Sequence, residues 1–518
     1  MNSVPLLSLL TFTPLLGGLA LLFVSPARSA TARRLALAVS GLVLVLTLVM
    51  LAGFDSRRAD LQFVERGAWV PTLAVEYFLG VDGLGVTLLL LTALVTPLAL
   101  LLSGRVEERA PLYHSLVLFV QAGLVGTFTA QNFFHWFLYW ELSLVPAFFL
   151  VRLWGGPERG PAATQFFVYT MVGSIAMLLA FLALFLATGR FNFPELAALA
   201  ADGGLAAAFA GKLTWASLSN ETLALLVFGG VFLGLAVKVP VIPFHTWLPA
   251  AYAEAPSPVT MLLTGLMSKM GVYGFLRILV PIFPDQLRAW LTPLLWLAVL
   301  TIVCAAAAAF AQRDLKRLLA YSSINHLGYC LLGIFAALRA TGDDARLAAE
   351  AVAALNGVVL QMFNHGLTAS ALFGFMALLE RRTEGRRNCD DFGGLRQVAP
   401  VFCGLMGIAV FSSLGLPGLN GFVGEFLIFK GAFPLAPWAA ALSVLGLLIT
   451  AVFLLTLMQR VFHGPLNPRW ASFPDLTTGE RWLVGPAIAL LFVLGVYPQV
   501  LVGVFDATIT ATAGRLAP

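Results

Sequence analysis

Charge is scarce in this sequence. Only 11% of its 518 residues are Asp, Glu, Lys or Arg, against roughly 25% in an ordinary soluble domain. A protein that meets water on all sides needs that polar coat, so a soluble globular fold is excluded. Cysteine is scarce as well. Cys304, Cys330, Cys389 and Cys403 form no C-x-x-C pair, so neither a zinc site nor a disulfide framework is indicated, and the four read as small apolar filler. A basic leader is missing, because residues 1–5 contain no Lys or Arg. The apolar stretch 4–24 therefore reads as a first helix that stays, not a cleaved signal. Strict alternation of apolar and polar residues is also missing, which excludes a transmembrane β-barrel. The net charge of +5 gives no indication of nucleic acid, since basic residues in such a chain mostly set topology.

Long apolar runs are abundant: 59% of the chain is hydrophobic, and residues 35–54 and 84–104 contain no charge at all. About 20 helical residues cross a hydrocarbon core of about 30 Å, and lipid offers no partner to a bare amide, so the spans must be helices. The expected fold is an all-α polytopic membrane protein of about fourteen helices. These begin near Val4, Leu35, Leu84, Leu112, Phe133, Thr164, Thr222, Pro258, Ala289, Arg317, Ala348, Val401, Pro437 and Arg481. The longest connections, 55–83 and 188–221, are too short for more than caps, so residues 1–518 form one transmembrane domain. One set of loops carries Arg28, Arg33 and Arg34, then Arg313, Lys316 and Arg317, then Arg381, Arg382, Arg386, Arg387 and Arg396. That side holds roughly 18 Lys/Arg against roughly 11, so it is expected to be cytoplasmic, with both termini on the opposite side.

Two spans are interrupted, the seventh at LAVKVPVIPFHTWLP (235–249) and the twelfth at LGLPGLNGFVGEF (414–426). Proline removes a backbone donor and clashes with the preceding turn. In lipid, such breaks survive only where protein or a hydrated cavity covers them. Paired broken helices in two halves of a chain indicate internal repeats and an ion pathway; the plainer reading is two proline kinks.

Ionisable residues deep in spans each need a reason, because a charge at the bilayer centre costs about 2.5–3.5 kcal/mol on insertion scales. The candidates are Glu141, Lys238, Lys269, His326, His365 and Glu425. Glu141 has no basic residue within a turn, so its partner must come from another helix. Lys238 stands two residues before Pro240, and Lys269 lies too deep for its side chain to reach the interface. A desolvated lysine holds its proton less tightly, and an acid beside it restores the affinity, so moving the acid would load and unload the base. The plainer reading of Glu141, Lys238 and Lys269 is a structural intramembrane ion pair. Ser322, His326 and Tyr329 share one helical face, and Gln361, His365 and Thr368 form a second polar stripe. Such stripes could order water and relay protons through imidazole. Interhelix hydrogen bonding and haem ligation are the other readings. Glu425 follows Gly421 and Gly424, which let water or backbone come close. His245 is read as a structural hydrogen-bonder near a surface, His114 and His135 as interfacial, and Asp82 as a helix cap.

The segments 137–156, 235–249, 254–274, 314–329, 361–373, 414–426 and 475–499 closely resemble the subunit M family of bacterial NADH–quinone oxidoreductase, respiratory complex I, whose mitochondrial counterpart is subunit 4. The resemblance covers nearly all of the chain beyond about Phe78. It implies two inverted five-helix repeats, 112–280 (helices 4–8) and 289–463 (helices 9–13), and a proton path along the membrane midplane. It pairs Glu141 with Lys238 and makes Lys269 the central base. His326 and His365 become relays, and Glu425 the terminal carboxylate. The sister subunits L and N and the Mrp antiporters usually place a lysine at that last position, and subunit L adds a long lateral helix for which little chain follows the last span here. The implied localisation is the bacterial inner membrane, with L-type, N-type and small subunits as partners. This chain holds no cofactor, and NADH, FMN, iron–sulfur clusters and quinone belong to other subunits. An Mrp-type cation/proton antiporter and a subunit of a membrane-bound hydrogenase or carbon-uptake complex are the nearest alternatives. A purely structural spacer in the membrane arm is a further one. Two departures stand out. Where the family has Asp-Ala-His after WLP, this chain has Ala250-Ala251-Tyr252, and the loop 339–350 is longer than usual.

Overall fold

The computed structural model describes residues 4–73, 75–209, 218–340 and 344–515. Among them, twelve helices are long and apolar enough to cross a membrane, with shorter apolar helices beside them. In chain order the helices that build the molecule are α1 (Leu6–Leu22), α2 (Ser29–Gly53), α3 (Gly83–Leu102), α4 (Ala110–Thr129), α5 (Phe133–Trp154) and α6 (Arg159–Thr188). Then come the short α7 (Phe193–Ala201) and α8 (Gly204–Phe209), α9 (Asn220–Lys238), the short α10 (Trp247–Glu254) and α11 (Ser257–Ile282). The remainder are α12 (Leu291–Phe310), α13 (Leu315–Ala337), α14 (Ala345–Arg382), α15 (Pro400–Ser413), α16 (Asn420–Leu435), α17 (Pro437–Phe462), α18 (Thr478–Val496) and α19 (Gln499–Gly514). The chain is a multi-pass integral membrane protein, as its composition requires. Leu186, Leu448 and Leu179 are at least 60% exposed on the outer helices, a surface that only an apolar medium tolerates.

Inside this apolar wall stand α11 and α14. Their crossing is close because each brings a glycine to it: a Cβ on Gly366 would lie 2.8 Å from the Gly265 carbonyl oxygen. Small residues let two backbones approach this way where lipid supplies no hydrophobic drive between helices. α11 carries two π-helical turns, Leu263–Met267 and Phe275–Leu279, on either side of Lys269, and such turns cluster at functional sites.

Both breaks fall where the prolines put them. α9 ends at Lys238 and the chain resumes as α10 at Trp247. α15 ends at Ser413, and α16 starts at Asn420 after an irregular stretch with Gly415 and Gly418 at positive φ.

Four connections differ from expectation. The loop 55–83 is a β-hairpin, β1 (Gln62–Val70) antiparallel to β2 (Val75–Val81). Glu65 clamps it to the start of α1, accepting from the Leu7 and Ser8 amides at 2.7 and 3.1 Å, where the helix dipole favours an anion. Arg66 ties it to Glu76 and Glu195, both at 2.7 Å. The connection 188–221 contains α7 and α8; its residues 210–217 lie outside the described residues. Half of the region read as a long loop at 339–350 is the start of α14, with residues 341–343 outside the described set. The final span divides at Pro498, and α19 then packs against α14 and α3 through Asn356–Asp506 (2.7 Å) and Gly83–Thr508 (3.0 Å).

Hydrogen bonds gather the loops into two faces. On one, Arg33 reaches Leu101, Arg381 reaches Leu102, Arg387 reaches Glu254 and Asp314, and Arg382 reaches Glu480. On the other lie the hairpin, Asn132, Asn192 and the Asp82–Arg277 pair.

Candidate functional site

α9 stops at Lys238 because no amide follows from Pro240 to continue it. The ammonium therefore sits at the carbonyl end of a helix, where the backbone dipole favours a cation. It lies 4.9 Å from the centre of the Trp140 ring, a cation–π contact. Glu141, the next residue along α5, lies beside Ser174, whose hydroxyl accepts the Trp140 indole N–H at 3.0 Å. Lys238 and Glu141 form no direct ion pair. The Lys238 Nζ and both Glu141 carboxylate oxygens are buried without a hydrogen-bond partner among the described residues.

Lys269, wholly buried at the middle of α11, is fully engaged instead. Its Nζ donates to the Thr264 carbonyl at 2.6 Å and to Ser268 Oγ at 3.3 Å, and lies 2.7 Å from His365 Nδ1. The His365 ring, on α14, is 5.1 Å from the His326 ring on α13. His326 Nδ1 lies 2.9 Å from Glu425 Oε1, and its Nε2 lies 3.2 Å from Ser413 Oγ. Gln361 Nε2 lies 3.4 Å from the same carboxylate oxygen. Four of the six residues singled out in the sequence thus form one unbroken buried line, Lys269–His365–His326–Glu425. Lys238 and Glu141 stand apart from it.

The second break is fastened to the neighbouring helices just before Glu425. Ser412 and Thr368 are 3.0 Å apart, Ser412 donates to Asn420 Oδ1 at 2.5 Å, and Asn364 donates to the Asn420 carbonyl at 2.7 Å. These bonds fasten the interrupted backbone to α14. Gly415, at φ +81°, leaves room that a Cβ would fill, 2.7 Å from Glu425 Oε2. Most buried polar groups here find partners across the break, although Gln361 Oε1 and Asn364 Oδ1 have none among the described residues.

Several other expectations can be placed. The Gln361–His365–Thr368 stripe faces α13, α15 and α16 as its spacing requires. Asp82 caps α3 through the Gly85 amide at 3.1 Å and, beyond that reading, accepts from Arg277 at 2.5 Å. His114 and His135, near helix starts as expected, are 1% and 3% exposed, because tertiary packing covers those helix starts. The His326 and His365 ring nitrogens face Lys269, Ser413 and Glu425, and their rings are too close for a haem between them.

Sequence reasoning missed Ser413, Asn420, Ser268 and Thr264, ordinary residues whose placement depends on a neighbouring helix. It also passed over Arg277, eight residues beyond Lys269 on the same helix, and read Lys316 as a loop cation. Lys316 is 2% exposed. An Arg within a span and a Lys in the first turn of one were the available signals.

Comparison with known proteins agrees with this geometry. Residues 130–450 match the family described as NADH:quinone oxidoreductase/Mrp antiporter, TM. The chain is 35% identical to NADH-quinone oxidoreductase subunit M of Rhodobacter capsulatus over 96% of this chain and 94% of that one. A chain of respiratory complex I from Thermus thermophilus superposes with a TM-score of 0.84 at 29% identity, over 99% of this chain and all of that one. A chain of the Mrp complex from Dietzia sp. shares the fold, with a TM-score of 0.81 at 21% identity and complete coverage of both. With a family match across most of its length and a full-length relative above 30% identity, this chain belongs to the antiporter-like membrane-subunit family of NADH:quinone oxidoreductases, in its subunit M branch.

Proposed function

We propose that this chain is the proton-translocating, antiporter-like subunit M of the membrane arm of an NADH–quinone oxidoreductase. The observation that carries the reading is the continuous buried line Lys269–His365–His326–Glu425. A charge so far from water is costly, and four titratable groups in mutual reach are worth that cost where protons move between them. Electron transfer from NADH to quinone occurs in other subunits, which carry FMN and iron–sulfur clusters. That event changes the field at one end of the line. Glu141 and Lys238, buried and unpaired with each other, respond by altering their separation or hydration, and the proton affinity of Lys238 changes with it. The proton passes through water to Lys269, then by His365 and His326 to Glu425.

In this reading helices 112–280 and 289–463 form two inverted repeats around the broken α9 and α16, and L-type and N-type subunits flank the chain. The Arg-rich face is cytoplasmic, in a bacterial inner membrane, with both termini opposite. The Lys269→Ala variant is expected to assemble and to lose proton pumping in reconstituted vesicles. Pumping at the parental rate would overturn the assignment. The shared fold of the Mrp chain supports a second reading, a cation/proton antiporter; co-purification with flavin and iron–sulfur proteins separates the two.

A further inference from the structure

On the outer wall, α12 and α17 pack side by side. Each turns an apolar stripe outward, Trp296, Leu300 and Phe310 on α12 and Leu448, Val452 and Leu455 on α17, all exposed. At the hairpin end of this seam the Trp296 and Trp438 rings stand 4.8 Å apart, and tryptophan gathers where lipid meets water. At the other end, on the Arg-rich face, lies a cavity of about 190 Å³. Phe310, Arg313, Leu318, Phe453, Leu457 and Arg460 line it.

The charges at this cavity do not balance. Arg313 and Arg460 both reach Asp390, at 3.2 and 3.3 Å, one on each carboxylate oxygen. One carboxylate thus serves two guanidiniums, and one positive charge is in surplus. The neighbouring acids are committed elsewhere: Asp314 to Arg387 at 2.6 Å and to the first amides of α13, Asp391 to Arg386 at 3.6 Å. Arg313 and Arg460 each spend one Nη on Asp390, and both side chains stay exposed. The flat fork of a guanidinium matches the oxygens of a phosphate.

We propose that this seam binds an anionic phospholipid, with its phosphate on Arg313 and Arg460 and its acyl chains along the stripes of α12 and α17. Basic pockets between spanning helices suit such head groups. The cavity admits a phosphodiester group but not a helix, which is about 10–12 Å across, so a lipid fits it better than a partner's span. The inference goes beyond the proton line and does not rest on it. It needs only that the chain spans a membrane.

The test uses the assembled complex in phosphatidylcholine vesicles doped with photoactivatable phosphatidylglycerol or, separately, with photoactivatable phosphatidylcholine. Mass spectrometry locates the labelled peptides. Phosphatidylglycerol is expected to label the segments around Phe310 and Phe453 about fivefold more than phosphatidylcholine, the worth of one basic side chain against an anionic lipid. Arg460→Gln removes the surplus charge and is expected to abolish that preference. Asp390→Asn doubles the surplus and is expected to raise the preference about fivefold further; a merely structural cluster would not respond in opposite directions. Equal labelling by the two lipids, or no labelling because another subunit covers the seam, would overturn the proposal. So would a preference that neither variant moves. A preference abolished by inorganic phosphate, but not by chloride at equal ionic strength, marks a site for a soluble anion and overturns it too. The comparison of the two lipids needs no variant, so it stands even where a variant fails to assemble. The readout is labelling and not pumping: its failure leaves the proton line in place, and a failed Lys269→Ala test leaves the lipid site in place.

Discussion

The buried line and the Glu141–Lys238 region that stands apart from it are built differently. From Lys269 to Glu425 each group lies against the next, and His326 and Gln361 hold the last carboxylate. From Glu141 to Lys238 there is no direct contact: an indole lies under the ammonium, and the polar ends of both side chains lack hydrogen-bond partners. Charged groups that already hold partners are costly to disturb, whereas an unpaired buried charge gains from any partner that moves toward it. The contrast suits a fixed conduit in the line and a movable control in the other region.

The largest expected effect is in the continuous line. Glu425→Gln keeps the size of the side chain and removes its charge, and is expected to lower proton pumping by about 10²-fold, the scale of a positioned acid–base group. Glu141→Gln is expected to cost less, about tenfold, because it biases the neighbouring lysine without breaking a chain. Equal losses in the two variants, measured as proton uptake per NADH oxidised, would break the comparison. Gly415→Ala sharpens it. That residue sits at φ +81° with Glu425 behind it, so a methyl group is expected to destabilise the complex by about 1–2 kcal/mol, seen as a lowered Tm, while Glu141-dependent control persists.

The smallest effect lies outside the membrane. The hydrogen bond from Arg66 holds the Glu76 carboxyl below its usual range. Its contribution to the hairpin is present above the unfolded value, about 4.3, and is lost as pH falls through the lower folded value. Arg66→Gln is expected to weaken the hairpin by no more than about 1 kcal/mol. Protection of hairpin amides from exchange reports it, with no change in pumping.

Most of the spans and all six titratable residues were legible in the sequence, because long apolar runs and isolated charges within them are strong local signals. The hairpin was not, since QFVERGAWV alternates too irregularly to stand out and most of its residues face water or the hairpin's own contacts. Nor was the burial of His114, His135 and Lys316, which neighbouring helices impose. The separation of Glu141 from Lys238 was hidden for the same reason: resemblance names a pair, but only packing decides whether an indole or a carboxylate meets the ammonium.

α14 runs without a proline from Ala345 to Arg382, 38 residues. At 1.5 Å per residue that is about 57 Å, well beyond the roughly 30 Å of hydrocarbon. At one end Glu350 meets Lys430, near the middle sits His365, and at the other Glu380 meets Lys316. One continuous helix therefore ties an ion pair at each of its ends to the buried imidazole between them.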